Sequence, residues 1–474
     1  MKVLWLCNVM LPMIARQLNL EATNKEGWLS GLAAVVLEKR SENGIELAVA
    51  FPAPEEAFSQ GEDVFEQTVS GADGELACYG FREDTANPHL YDGGLEKRLG
   101  KILALYKPDL VHCFGTEYPH TLAMCRIFPD KSRLLIGIQG LCAVYAHAYF
   151  ADMPEKAVST VTLRDYLKRD DLKAQQKKFV SRGVMETEAV KLAGNVAGRT
   201  EWDRFYTREW NPAACYYEMN ETLRPEFYGA EWNRESCERH SIFLSQGDYP
   251  VKGLHYMLAA LPAIRDRYPD VKVYVAGQNL TQYDTLKQKL KISGYGKYLR
   301  GLIHKYGLKE HVLFVGKLDS ARMKEQYLKS GLFVCPSSME NSPNSLGEAM
   351  LLGMPCVSAD VGGIPGIFRG GKDGILYEGF RCGALSGFYG KTSRKSGQED
   401  FPEGSNRNRE VSGLGAIAKR LSDAVIEMWS DENRMEEYCQ NAKIHAEQTH
   451  DRSRNYKRLC EVYVKIMEKN GSLQ

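Results

Sequence analysis

The sequence predicts an α/β protein with two tandem parallel-sheet domains of Rossmann-like β/α/β units. Three observations predict it. Short apolar runs of strand length alternate with amphipathic runs of helix length over residues 2–138, which is the spacing of βαβ units. The alternation breaks over 212–240, a polar, aromatic and irregular stretch, and restarts over 241–358. The length of 474 residues suits two to three domains at roughly 150 residues each. The expected division is 1–237, then 238–445, then 446–474 as a helix returning toward the first domain. Two such sheets would face each other across a cleft at their carboxyl edges.

The elements follow in order. Residues 2–7 (KVLWLC) read as a buried strand, and 8–27 as a long polar loop before a helix over 28–38. The apolar start is short and Pro12 follows it, so a first strand is preferred to a signal peptide. Strands are expected at 45–51, 76–81, 110–114 and 134–138, with helices at 95–106 and 120–127. Residues 160–193 are long, charged and read as helical. Their lysines and arginines would suit an anionic lipid surface, but Asp165, Asp170, Asp171 and Glu186 interrupt the charge, which favours a solvated face. Residues 195–203 give a short strand and a turn.

In the second half, strands are expected at 241–245, 271–276, 312–315, 332–335 and 356–358, and helices at 254–268, 281–306 and 320–328. Residues 381–412 are rich in Gly, Ser, Arg and Asn and read as a surface insertion. Residues 414–429 and 433–469 have helical period. Lys plus Arg and Asp plus Glu both number 61, so charge gives no argument for a nucleic-acid partner. The twelve cysteines form no CxxC pair and read as reduced thiols of a cytosolic protein. No run approaches the ~20 apolar residues that span a bilayer.

Chemistry concentrates in residues 335–368. Glu340 and Glu348 flank a turn of Ser, Asn and Pro, and a helix opens near Ser345 and stops at Gly353. Unpaired N–H groups at such an opening favour an anion such as a diphosphate. Glu348 is suited to ribose hydroxyls and Glu340 to sugar hydroxyls. Taken alone, two glutamates at one spacing argue little. They do not stand alone: Lys252-Gly253 opens an earlier helix and offers an ammonium, and Gly362-Gly363 forms a tight turn downstream.

Together these pieces resemble the C-terminal domain of the retaining, nucleotide-sugar-dependent glycosyltransferases of family 4, which have the two-Rossmann-domain GT-B fold. The matching residues are Lys252-Gly253, Val312 to Gly316, Pro336-Ser337, Glu340, Glu348-Ala349, Gly353, Pro355 and Gly362-Gly363. Gly115 to Tyr118 and Gly198 to Asp203 resemble a bacterial surface-polysaccharide branch more loosely.

The resemblance implies a set of roles. Lys252 would contact the donor diphosphate beside Gly253. The backbone at Lys317 and Leu318 would meet the base. Glu340 would hold the transferred sugar, Asn344, Ser345 and Leu346 would offer amides, and Glu348 would hold the ribose. Gly27 would let the first domain approach the diphosphate. Two positions depart from the pattern. Gln246 stands where an arginine is usual, so Arg199 or Lys25 would have to supply that charge. Gln139 stands where a histidine is usual; His112 and His120 read as structural or acceptor-binding. The implied catalytic set is Glu340, Lys252 and Gln139.

Retention implies front-face displacement, with the leaving diphosphate taking the acceptor's proton. No metal is expected, and Asp170-Asp171 is a poor metal motif. The expected donor is a UDP- or GDP-sugar, and the acceptor a glycan or lipid-linked hydroxyl. The expected location is cytoplasmic, with peripheral contact at the inner membrane face. The alternatives are a sugar-nucleotide-binding protein without transfer activity, and an epimerase on the same scaffold.

Overall fold

The first apolar run forms β1 (Lys2–Cys7), fully buried after its first residue. It sits in the middle of a sheet, where a strand is covered on both faces and needs no polar alternation. The computed structural model describes residues 1–20, 27–71, 74–385, 387–388 and 413–469. The chain divides into two compact units: residues 1–143, 178–225 and 447–474, and residues 144–177 and 226–446.

The first unit is an eight-stranded sheet of β1, β2 (Glu46–Pro52), β3 (Val64–Gly71), β4 (Gly74–Phe81), β5 (Leu110–Phe114), β6 (Leu134–Gly137), β7 (Asn195–Gly198) and β8 (Cys215–Glu218). The strand order is β3-β4-β2-β1-β5-β6-β7-β8. Every pairing is parallel except the β3–β4 hairpin. The order reverses direction between β1 and β5, so the loops leaving their carboxyl ends diverge and open a crevice. The helix Arg452–Lys469 packs on this unit. Its buried Tyr463 hydroxyl accepts from Trp5 Nε1 at 2.8 Å and lies 2.7 Å from His112 Nδ1. Burial lowers His112 to about 3, so the neutral ring accepts a hydrogen bond from the Tyr463 hydroxyl.

The second unit is a six-stranded, wholly parallel sheet: β9 (Glu238–Leu244), β10 (Lys272–Ala276), β11 (Val312–Gly316), β12 (Ser330–Cys335), β13 (Cys356–Asp360) and β14 (Ile375–Glu378). Its order is β11-β10-β9-β12-β13-β14, which puts the switch point between β9 and β12.

Several elements differ from the sequence reading. β3, β8 and β14 are strands that the sequence reading did not assign. The run read as one helix over 160–193 is broken. A capping box between Thr162 and Asp165 starts the helix Leu163–Lys168, and Arg169 ends it in a left-handed conformation. Asp171 Oδ1 then accepts from the amides of Lys173 and Ala174 at 2.9 and 3.0 Å and opens Leu172–Leu192. Of the four acidic residues that looked like interruptions of charge, Asp165 and Asp171 are helix caps, Asp170 pairs with Arg164, and Glu186 is buried beside Thr116. The run 433–469 is two helices, because Asp451 Oδ1 caps the amide of Arg454 at 2.6 Å.

Residues 144–177, read with the first domain, cluster with the second unit. Hydrogen bonds to the rest of that unit hold them. Tyr145 Oη accepts from Asn341 N at 3.1 Å, Ala148 O from Ser338 Oγ at 3.1 Å, and Ala151 O from His255 Nε2 at 2.6 Å.

Candidate active site

The switch point of the second unit brings two loops together. One leaves β9 and carries Gln246, Tyr249 and Lys252. The other leaves β12 and carries Ser337 to Ser342 into the helix Asn344–Leu351. Lys252 ends a single 3₁₀ turn, Pro250–Lys252. Gly253 follows with φ +71°, and a Cβ there would lie 1.9 Å from the Pro336 carbonyl oxygen. Only glycine fits both the backbone and the space, and that close approach carries Lys252 to the second loop.

The result is an ion pair. Lys252 Nζ donates to Glu340 Oε1 at 2.7 Å, and Ser337 Oγ donates to the same oxygen at 2.7 Å. Glu340 is 5% exposed, so both its donors matter: a carboxylate in so little water needs them. Burial acts to lower the Lys252 pKa, but Glu340, Tyr249 and Tyr145 outweigh it and hold the ammonium well above the usual lysine value. Lys252 therefore stays charged across the physiological range.

Glu340 is also fixed through its backbone. Its carbonyl accepts from Gly363 N at 3.1 Å. Gly362, with φ +53°, brings its Cα so close that a Cβ would meet that carbonyl oxygen at 2.0 Å. The Gly-Gly turn thus packs beneath the glutamate. Behind the turn, Asp373 accepts from Arg369 and from His445 Nδ1, the latter at 2.7 Å. Burial pushes the Asp373 carboxyl up, yet these hydrogen bonds outweigh it and bring it down to about 2.

The other expected residues fall as follows. Asn344, Ser345 and Leu346 form the first turn of their helix, and Tyr327 Oη donates to Ser345 O at 2.9 Å. The Leu346 amide donates to Pro343 O at 3.0 Å, within that turn. Glu348 is buried in the next turn. Gln246 is half-buried; Lys317 and Leu318 follow β11, exposed and half-buried respectively. Gly27 opens the helix Gly27–Glu38 of the first unit, and Gln139 is half-buried just after β6 of that unit. The structure brings Lys252, Gly253 and Glu340 together and puts Gly27 and Gln139 in the other unit.

Arg199 is a buried partner of Glu221 at 2.8 Å, both within the first unit, so it is already committed as a cation. Lys25, residue 386 and residues 389–412 lie outside the described residues. Sequence reasoning gave no role to Ser337, Tyr145 or Tyr249. Ser337 had a signal, its place three residues before Glu340. Tyr145 had none, since its partner is 196 residues away.

The switch point of the first unit is also polar. His120 is buried, with Nδ1 2.6 Å from Glu83 and Nε2 3.0 Å from Asn8 Oδ1. Thr116 Oγ1 lies 2.6 Å from Glu186 Oε1 and 3.3 Å from Gly140 O, and Glu186 Oε2 accepts from Ala143 N at 2.9 Å. Burial pushes Glu186 up to about 8. As an acid it donates to Thr116, whose hydroxyl passes a hydrogen bond to Gly140. Among the described residues, no group of three or more His, Cys, Asp or Glu could hold a metal ion.

Residues 233–386 match the family model for glycosyl transferases group 1. An uncharacterized glycosyltransferase, MJ1607, of Methanocaldococcus jannaschii is 28% identical over 59% of this chain and 65% of its own length. Spore coat protein SA of Bacillus subtilis is 31% identical over 27% of this chain and 33% of its own. The phosphatidyl-myo-inositol mannosyltransferase of Mycobacterium leprae is 27% identical over 31% and 34%. The chain thus spans between a third and just under two-thirds of the length of these curated relatives.

Among solved structures, sucrose-phosphate synthase from Thermosynechococcus elongatus superposes with a TM-score of 0.61 at 14% identity, over 99% of this chain and 100% of that one. Anabaena Alr3699/HepE in complex with UDP-glucose superposes at 0.57 and 15% identity, over 100% of both. The fold is that of the GT-B glycosyltransferases.

Proposed function

We propose that the chain moves a sugar from a nucleoside-diphosphate sugar to a hydroxyl acceptor, with retention of anomeric configuration, in polysaccharide or glycolipid assembly. The observation that carries this reading is the Lys252–Glu340 pair at the carboxyl ends of β9 and β12, inside the region that matches group 1 glycosyltransferases. A largely buried ammonium, held in its charged form beside a helix opening, suits a diphosphate leaving group whose charge grows as the glycosidic bond breaks. Glu340 keeps Oε2 for hydroxyls of the sugar, because Lys252 and Ser337 share Oε1. Glu348 holds the ribose, Gly253 and the amides of Asn344 and Ser345 border the phosphates, and the backbone at Lys317 and Leu318 meets the base. Gln139 is a hydrogen-bonding rather than a titrating group.

In front-face displacement the leaving diphosphate accepts the acceptor's proton, so the protein's task is to position and to stabilise charge. UDP-glucose in the Anabaena neighbour supports a UDP-sugar, with a GDP-sugar as the other candidate. The name of the mycobacterial relative supports a lipid-linked acceptor, with a glycan as the other candidate. The protein works on the cytoplasmic side, in peripheral contact with the membrane.

The test is transfer from labelled UDP- and GDP-sugars to membrane-extracted acceptors, with the anomeric configuration of the product read by NMR. Glu348→Gln weakens nucleotide binding, and Glu340→Ala lowers turnover without weakening the binding of free nucleotide. No binding of any nucleoside diphosphate refutes the proposal. Binding without turnover on any acceptor would favour a sugar-nucleotide-binding protein, a reading that Gln246 supports by lacking the usual charge.

A further inference from the structure

Among the described residues, seven of the fourteen exposed large apolar side chains fall in two short segments: Val161, Leu163, Tyr166 and Leu167 in one, Tyr283, Leu286 and Leu290 in the other. The most protruding are Tyr166, Leu167 and Leu286, at 73%, 71% and 74% exposure. The two segments are 115 or more residues apart in sequence and pack together within the second unit. Thr162 Oγ1 donates to Ile292 O at 2.8 Å, and the buried Asp165 accepts from Gly294 N at 2.7 Å.

Each segment is a six-residue helix, Leu163–Lys168 (LRDYLK) and Leu286–Lys291 (LKQKLK). Helices this short are marginal in water. Both are held by a complete capping box, Thr162 with Asp165 and Thr285 with Gln288. Capping and the Asp165 tie, not burial of the leucines, therefore account for their form. The leucines are half or more exposed among the described residues.

The charge around them is mainly positive. Lys168, Arg169, Lys287, Lys289 and Lys291 are exposed, against one exposed carboxylate, Asp284. Arg164 is spent on Asp165 and Asp170. A groove of ≈ 410 Å³ that includes Thr160 and Gly294, next to the two ties, adds Lys156, Lys297 and Lys305. Protruding leucines and a tyrosine ringed by cations match the boundary of a bilayer, where acyl chains meet anionic headgroups.

We propose that these paired helices are the surface by which the chain docks on an anionic phospholipid bilayer. The inference deepens the peripheral-membrane part of the proposed function and places that contact on the second unit, on residues other than those of the Lys252–Glu340 site. The full chain is centrifuged with vesicles of phosphatidylcholine alone and of phosphatidylcholine with phosphatidylglycerol in equal parts. Binding is expected only to the mixed vesicles and weakens as salt rises. Leu167→Ser with Leu286→Ser, and separately Lys287→Glu with Lys289→Glu, each lower partitioning by about tenfold or more. All four side chains are exposed, so both variants keep the native thermal midpoint and nucleotide binding.

Equal binding to both vesicles, no binding, or unchanged binding by both variants overturns the proposal. So does a concentration-dependent dimer that the leucine variant abolishes without any vesicle binding, which would make the patch a contact between copies. The vesicle assay needs no nucleotide, so its failure and a failure of the donor-site reading are separately visible.

Discussion

Replacing Glu340 by Gln removes the charge that faces Lys252 and keeps the shape. The ammonium then sits in a largely buried site with its nearest anion gone. Removing one partner of a fully buried pair costs about 3–5 kcal/mol. The Lys252 side chain is 20% exposed, so water offsets part of that, and a loss of about 1–3 kcal/mol is expected. The thermal midpoint of the free protein falls by about 2–4 °C per kcal/mol. A diphosphate experiences the opposite effect. In the native protein an anion reaching Lys252 also meets the Glu340 charge. At ~5–6 Å and an effective dielectric constant near 20 the gross repulsion is about 3 kcal/mol. Solvent and counter-ions leave about 1–2 kcal/mol of it, or roughly 5- to 30-fold in affinity.

The variant is therefore less stable alone and binds pyrophosphate and UDP more tightly. Thermal-shift titration reads both effects, since ligand stabilisation follows RT ln(1 + [L]/Kd). Pyrophosphate needs no choice of base and UDP adds one. A variant as stable as the native chain, or one that binds pyrophosphate no more tightly, would refute the reasoning that Lys252 and Glu340 neutralise each other in the free site.

Three further outcomes are expected. Gly253→Ala places a methyl group against the Pro336 carbonyl at a left-handed residue and destabilises by about 2 kcal/mol or more, seen as a lower urea midpoint. Glu186→Gln keeps the hydrogen bonds of the protonated side chain. The native group has its folded pKa near 8 and an ordinary value of 4.5, so its contribution is full below pH 4.5 and is lost as pH rises to about 8. The variant lacks that loss and gains on the native protein by about 1.4 kcal/mol per pH unit across the window; parallel denaturant curves that do not diverge with pH count against it. Asp373 has the opposite sign. Its carboxyl is held near 2 against 3.8, so its contribution is present above pH 3.8 and lost as pH falls through about 2. Asp373→Asn costs about 2 kcal/mol at pH 7, measured by chemical denaturation, and flattens the acid limb.

Much of the architecture was legible along the chain. Parallel strands covered on both faces are continuous apolar runs, so β1, β5 and β12 stand out by composition alone. β3, β8 and β14 did not, because they lie at or next to a sheet edge, where half-exposed residues break the apolar run. The division of 160–193 was hidden for another reason. Asp165 and Asp171 cap helices through their side chains, and a capping aspartate and a solvated one look alike in a list of charges.

The stretch around Glu340 follows the same division. Composition and spacing by themselves determined two α/β sheets, a glutamate before a helix opening, a lysine–glycine pair and a glycine turn, because each is a local pattern of period, cap or turn. Tertiary structure alone decided that Lys252 meets Glu340, 88 residues away, and that Gly253 and Gly362 are required by backbone carbonyls rather than by flexibility. It also decided that Ser337 shares the carboxylate, and that two capped helices from distant segments make one basic, apolar surface. Those facts depend on which strands lie side by side, and the order β9-β12 is set by how whole helices cover the sheet, which no window of sequence contains.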